Sequence, residues 1–508
     1  MRAFTLLLLI QILCGKVTFG AKILCIASLP TYSHNLFFRP IWEALADRGH
    51  QLTVLTANPM GPHPNIQEID LGFAYEKKKI VYTPDFAVTR FNWPFMIGRY
   101  MDMFIEVAAA ELGSAQVQRL LTNQSEHFDL VIAEMHISAM FGFAHRFKCP
   151  LIGISSTDIV SYQHAILGNP THVVQYPDLC SNMAPKRLTF EERTIELYNR
   201  IGTLIQQYIR QEAWNDVLQK YFGPDVPPLD DLVRSLYFVF LNVAPFANYR
   251  PLGPKFVAIG GRSHFSPSKP LGKELLELLD SNPQGVIYFS LGTNIKDSQI
   301  SPHLLNVTME AFKELPYQFI WKLGHTIPNL PENVRIYSWL PQQELLRHPH
   351  IKAFVFQGGV HSKEEAILAR VPMVGIPIIG DQRKNVEDLV ARGVGLLLDK
   401  TTISKEQLKG AIQRVIEDPS FKENLKTLSQ MFQDYPQSGI ERAVWHAEFA
   451  LRNPQGAKLL GQPQLPWYQY YLLDILCVFV VVLGVVVGLV RWLVLALKRV
   501  FRSKVKVS

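Results

Sequence analysis

The sequence predicts an α/β protein of two doubly wound, parallel-sheet domains followed by one membrane-spanning helix. Three observations predict it. Residues 22–29 form an apolar run, then a polar turn, an amphipathic helical stretch and a second apolar run at 51–57, which together read as strand, helix, strand. The second half carries six short apolar runs alternating with helical stretches. Residues 475–490 hold no charge, and extending back through 470–473 gives about 20 residues, the length a bilayer requires.

The chain has 508 residues, 48% of them hydrophobic, enough for two domains of ordinary size. Lys and Arg number 51 against 44 acidic residues, a net charge of +7. Part of that excess sits at Lys498, Arg499, Arg502, Lys504 and Lys506, so composition gives little support to a nucleic-acid partner. Residues 1–20 read as a secretory leader: Arg2, an apolar core over 4–12, and small residues before a cut near Ala21. The five cysteines are irregularly spaced and suggest neither a disulfide framework nor a zinc site. Asn123-Gln-Ser and Asn306-Val-Thr are glycosylation sequons.

The helix after the first strand places Phe37, Ile41 and Leu45 on one face, and His34 stands at its start. In open α/β sheets ligands bind at such strand ends. Residues 60–126 mix helical and irregular character. Their aromatics and methionines, Phe91, Trp93, Phe95, Met96, Tyr100, Met103 and Phe104, suit either an apolar cleft or buried packing. Residues 128–134 and 150–156 read as strands, 160–235 as largely helical, and 241–254 as a Pro-, Asn- and Gly-rich linker. Apolar runs follow at 286–291, 319–323, 334–337, 353–356, 371–376 and 395–398, and a helix over 441–453 ends the globular part.

The densest signal is residues 351–382. A strand meets Gly358-Gly359, a helix begins at His361, and a second apolar run ends in Gly380-Asp381-Gln382. A strand, a glycine turn and a helix N-terminus together make an anion site, because free N–H groups and the helix dipole point outward there. The run Gly292-Thr293-Asn294 ends another strand in the same way.

This 351–382 stretch resembles the signature of the UDP-glycosyltransferase family. The resemblance covers nearly the whole chain, with a general form most like the invertebrate members. It implies a GT-B fold: two Rossmann-like domains across a cleft, 21–245 for the acceptor and 255–435 for the UDP-sugar. A helix and juxtamembrane linker (436–468), a span (470–490) and a basic tail (491–508) complete the chain.

The resemblance also implies roles. Trp339 stacks on uracil, and Gln342 sits beside it and the ribose. Glu365 accepts from ribose hydroxyls, and Asp381 and Gln382 bind sugar hydroxyls. Gly292 and Thr293 belong to the loop that approaches the diphosphate, and Gly358, Gly359 and His361 to the donor site. His34 matches the general base, with Glu134 as its acidic partner in one alignment and Ala139, which carries no acid, in another. Gln357 stands where the family has a histidine; it can donate a hydrogen bond but cannot carry charge. The implied reaction is inverting hexosyl transfer, with glucose favoured over glucuronate, to small lipophilic acceptors. A degenerate binding member is the alternative. No metal or other cofactor is expected. The expected setting is the endoplasmic-reticulum membrane, single-pass type I, with a lumenal body, a dilysine-type tail at Lys504 and Lys506, and a homo-oligomer as a possible assembly. A nicotinamide-dependent oxidoreductase is disfavoured, because no Gly-x-Gly-x-x-Gly follows the first strand.

Overall fold

The computed structural model describes residues 20–78, 93–179, 188–244, 250–261, 265, 270–293, 300–461 and 465–505. Residues 1–19 of the expected leader, Phe91, Cys180, residues 245–249 of the expected linker, and the tail residues 506–508 lie outside them. The chain divides into two compact units, Met1–Gly461 and Gln462–Ser508.

The first unit holds two parallel sheets. One is built from β1 (Lys22–Ala27), β2 (Gln51–Thr56), β3 (Ile66–Asp70), β4 (Leu130–Glu134), β5 (Leu151–Ser155), β6 (Phe238–Leu241) and β7 (Phe256–Ala258). Their order is β3-β2-β1-β4-β5-β6-β7. The other contains β8 (Val286–Ser290), β9 (Gln318–Lys322), β10 (Val334–Tyr337), β11 (Ile351–Phe356), β12 (Met373–Gly375) and β13 (Gly395–Leu397), in the order β10-β9-β8-β11-β12-β13. Helices cover both faces, so β1, β4, β5, β8 and β11 are buried almost throughout and read as unbroken apolar runs.

Both sheets reverse their winding direction once, between β1 and β4 in the first and between β8 and β11 in the second. The carboxyl ends of two diverging strands leave a crevice at such a point, and ligands bind there.

Helix α1 (Tyr32–Asp47) follows β1 and buries Phe37, Phe38, Ile41, Trp42 and Leu45 against the first sheet. Helix α2 (Trp93–Leu112) covers the opposite face and packs along the 33-residue helix Phe190–Phe222. In the second half, α3 (Gln342–Leu346), α4 (Val360–Ala369) and α5 (Gln382–Ala391) surround the site described below. Helix α6 (Gly439–Arg452) returns to the first sheet, where Ala443, Val444, Ala447 and Ala450 join the core that holds Ile41 and Leu45. Arg48 of the first half bonds Glu448 of this helix.

Three boundaries differ from the sequence expectation. Strand β7 lies past the expected linker yet pairs with β6, so the first sheet runs beyond residue 245; three residues behind a Pro-Gly stretch are too short to register as a run. Strand β3 fell in the stretch read as mixed, because Ile66–Asp70 is half polar and sits at the sheet edge. In the second unit the long helix is α7 (Leu473–Val505). It starts after Leu472, whose positive φ of 53° breaks the chain from the short helix Trp467–Tyr470. It also continues past the expected end at 490: Arg491 is followed by Trp492, Leu493, Val494 and Leu495, which keep the helix apolar. Its segment Leu473–Arg499, 27 residues, is long and apolar enough to cross a membrane.

Candidate active site

The first crevice gathers ionisable side chains from separate elements. The first turn of α1 delivers His34, and the end of β4 delivers Glu134, 100 residues away in the chain. His34 Nδ1 lies 2.5 Å from Glu134 Oε1. Ala139, the alternative place for an acid, is buried in the turn Ser138–Phe141. Glu134 is only 1% exposed. Burial alone would raise its pKa, but the imidazoles of His34 and His136 outweigh that and bring it down to about 2. Burial pushes His34 below the ordinary imidazole value; Glu134 pulls it back up, and His136 and Lys78 oppose that. Near neutral pH the pair is thus a carboxylate and a neutral imidazole. A carboxylate only accepts, so Nδ1 carries the proton and Nε2 is left as the basic nitrogen.

Three neighbours were not legible in the sequence. His136 Nδ1 stands 3.4 Å from the same Glu134 oxygen. Its only signal was Glu-x-His at a strand end. Lys78 Nζ donates to the Pro30 carbonyl at 3.0 Å and to Thr31 Oγ1 at 3.1 Å, pinning the turn before α1. Burial brings its pKa down to about 8 against the pull of Glu134. Glu111 of α2 is fully buried, and burial with the nearby charge of Glu134 pushes its carboxyl well above the usual range. Of the candidate cleft aromatics, Trp93, Met96 and Met103 are core, Phe95 is exposed, and Phe104 packs edge-on against His136 at 5.7 Å.

Among the described residues, His34, Glu134 and His136 form the group best placed for a cation, with ligand atoms within 4.8 Å of one another. Tetrahedral ligands about 2 Å from one ion stand more than about 3 Å apart. The 2.5 Å His34–Glu134 contact is closer than that and reads as a proton-handling pair.

The second crevice collects the remaining predicted residues. Gly292, two residues past the end of β8, has a φ of 86°, and a Cβ there would meet Gln357 Nε2 at 2.2 Å. Gly358, two residues past the end of β11, has a φ of 93°, and a Cβ there would strike the Gln382 carbonyl of α5 at 2.6 Å. Both positions favour glycine for conformation, and Gly358 requires it for space as well. Thr293 is exposed beside this turn, and Gly359 caps the N-terminus of α4. Gln357 is buried, and its Oε1 has no hydrogen-bond partner among the described residues.

Gln342 organises the adjoining wall. Its Oε1 accepts from Tyr288 at 3.0 Å, and its Nε2 donates to Ser362 at 2.9 Å and Glu365 at 2.6 Å. Trp339 is 55% exposed, an open flat surface with the Lys322 ammonium 4.9 Å over its ring. Lys322 also donates to the Gly292 carbonyl at 2.9 Å. Asn385 donates to Asp381 at 2.7 Å and to the Gly358 carbonyl at 3.0 Å, tying that carboxyl to the glycine turn. Burial raises the Asp381 pKa, and Asn385 and Lys363 oppose it. The Gln382 side-chain oxygen accepts from the backbone N–H groups of Ile378 and Ile379, so it braces the loop before α5.

The crevices meet. Phe37 of α1 stacks on His361 of α4 at 5.5 Å and 9°, and Tyr32 meets Trp339 edge-on at 5.4 Å. Asp381 is close enough to His34 for the imidazole to influence its charge. The first crevice, with its imidazole–carboxylate pair, thus adjoins a second that holds an exposed indole, a glycine turn at a helix start and the carboxyl groups of Glu365 and Asp381.

Comparison with known proteins agrees with this arrangement. A family model described as "UDP-glucoronosyl and UDP-glucosyl transferase" matches residues 21–507. UDP-glucosyltransferase 2 of Dactylopius coccus is 31% identical over 495 residues, covering 94% of this chain and 93% of the relative. UDP-glucuronosyltransferase 2B13 of Oryctolagus cuniculus is 29% identical, covering 88% and 87%. The solved glycosyltransferase of kitacinnamycin superposes with a TM-score of 0.56 at 19% identity, covering 85% of this chain and 98% of its own, and shares the GT-B fold. Two facing parallel sheets, each with its crevice at a switch point, and a family match over nearly the full length lead to one conclusion: the chain belongs to the UDP-glucuronosyl and UDP-glucosyl transferase family and is a UDP-glycosyltransferase.

Proposed function

We propose that this enzyme transfers glucose from UDP-glucose to a hydroxyl of small lipophilic acceptors, inverting the anomeric centre, with His34 as the general base. The observation that carries this reading is the His34–Glu134 pair at the first switch point, across from the donor crevice. His34 Nε2 takes the acceptor proton as the oxygen attacks the anomeric carbon from the face opposite UDP. The positive charge gathering on the imidazole is balanced by Glu134, which also holds the tautomer. Trp339 offers the uracil a stacking surface, Glu365 with Gln342 takes the ribose, and the Gly292 and Gly358–Gly359 turns approach the diphosphate. Asp381 orients the sugar hydroxyls. The reaction as drawn uses no metal, since α4's N-terminus and Lys322 offer positive potential for the leaving diphosphate.

Glucose is favoured because the relative at 31% identity carries the name UDP-glucosyltransferase. Glucuronate is the runner-up, after the rabbit relative's name. We place the body in the lumen of the endoplasmic reticulum, anchored by α7, with the basic tail in the cytosol. Transfer assays with UDP-glucose and UDP-glucuronate over a panel of phenols test the reading. Glucoside formation is expected. No transfer from either sugar, with UDP still bound, would favour the non-catalytic alternative that uncharged Gln357 raises.

A further inference from the structure

The carboxylate that serves His34 has a second imidazole. We infer that His136 is a second positioning residue of the base: it shares the Glu134 carboxylate with His34 and sets how much of that charge reaches the catalytic ring. This rests on the reading of His34 as base.

The geometry is specific. Both Nδ1 atoms address one oxygen, His34 at 2.5 Å and His136 at 3.4 Å, and the two rings lie 5.3 Å apart. The His136 contact is long for a hydrogen bond. Two buried atoms beside it lack a hydrogen-bond partner among the described residues: His136 Nδ1 itself and Glu134 Oε2. A donor and an acceptor left open side by side at a buried site are costly, and a small rotation of either group pairs them. Phe104 of α2 packs edge-on against the His136 ring at 5.7 Å.

Two consequences share one sign. A bond from His136 draws on the carboxylate and weakens its hold on His34, and a positive charge on His136 disfavours a second one on His34. Both make His34 a weaker base that stays neutral to lower pH. The other charged groups facing the cluster are Lys78 from the segment before α2, Glu111 from α2 and Asp381 from the second half. They remain when His136 is removed, so the effect of His136 is separable.

The test uses the full-length protein in detergent, with UDP-glucose and 1-naphthol, whose own ionisation lies above the range scanned. The acid limb of kcat/KM against pH is measured for wild type, His136→Ala and His136→Asn. The expected result for His136→Ala is an acid limb at higher pH, because Glu134 then serves His34 alone. His136→Asn, which keeps a neutral donor near Nδ1, brings the limb part of the way back to the wild-type position. A merely structural histidine would lower the melting temperature and leave the limb in place, and that outcome overturns the inference. If the alanine variant folds poorly, His136→Leu must show the same movement. His34→Ala runs in parallel. Retained transfer there would refute the base itself, whereas loss of transfer with an unmoved His136→Ala limb would refute only the role of His136.

Discussion

Replacing Glu134 by Gln removes one charge from the site and nearly nothing else. The side chain is 1% exposed, its Oε1 is 2.5 Å from His34 Nδ1, and Gln keeps the shape. A charge-assisted hydrogen bond contributes about 1.5–3 kcal/mol. That bond strengthens as His34 takes the acceptor proton, so its loss falls on the transition state. About 2–3 kcal/mol corresponds to a fall in kcat of roughly 30- to 150-fold. The pH profile gives an independent sign. Glu134 is what pulls the His34 pKa upward against burial, so without its charge the imidazole stays neutral to lower pH. The acid limb of kcat/KM therefore moves to lower pH, opposite to the expectation for His136→Ala. UDP release from the full-length enzyme, with product confirmed by mass spectrometry, measures both quantities. Unchanged kcat in a folded variant, or a limb that moves upward, would refute the assignment of Glu134 as the partner of the base.

Three further outcomes follow from the same geometry. Trp339→Ala should weaken UDP binding by roughly 1–3 kcal/mol, the range for one base stacked on an aromatic ring. An indole that is 55% exposed contributes little to folding, so calorimetric titration should show lost affinity at an unchanged melting temperature. Gln357→His should tighten UDP binding about fivefold at a pH where the imidazole is charged, because a charge-assisted bond exceeds a neutral one by about 1 kcal/mol; titration at two pH values checks it. Glu111→Gln should flatten a pH slope in stability. The folded pKa of Glu111 is raised, so the native state keeps a proton that the unfolded chain releases above about 4.3. Wild type then loses up to about 1.4 kcal/mol per pH unit above that point. Melting temperatures across that range should converge at acid pH, with the variant higher at neutral pH.

All six strands of the second half were anticipated, the inner ones because they are buried on both faces and appear as plain apolar runs, while the edge strands β10 and β13 are only partly buried. Strand β3 was not, since an edge strand with Gln67 and Glu68 lacks that signal. Strand β7 was not, since three residues cannot show a period. The glycines at 292 and 358 could be suspected from the sequence, but only the structure shows that a Cβ would meet Gln357 at one and the Gln382 backbone at the other. His34 stood out by its place after the first strand. Its carboxylate left two alignments open, because strand pairing brings residues 100 apart into contact and no local rule records it. His136, Lys78 and Glu111 were invisible for the same reason: each takes its character from burial beside Glu134 and not from its neighbours in the chain.

The central claim is a division of labour, with the base on the first sheet and the donor on the second. His34→Ala in the full-length protein tests it most directly when glucosyl transfer and UDP binding are measured on one preparation. The account predicts that transfer falls by at least about a hundredfold, the lower end for loss of a general base, while the Kd for UDP stays within about threefold, less than 1 kcal/mol. Transfer that persists, or a folded variant that loses UDP binding and transfer in equal measure, would contradict it.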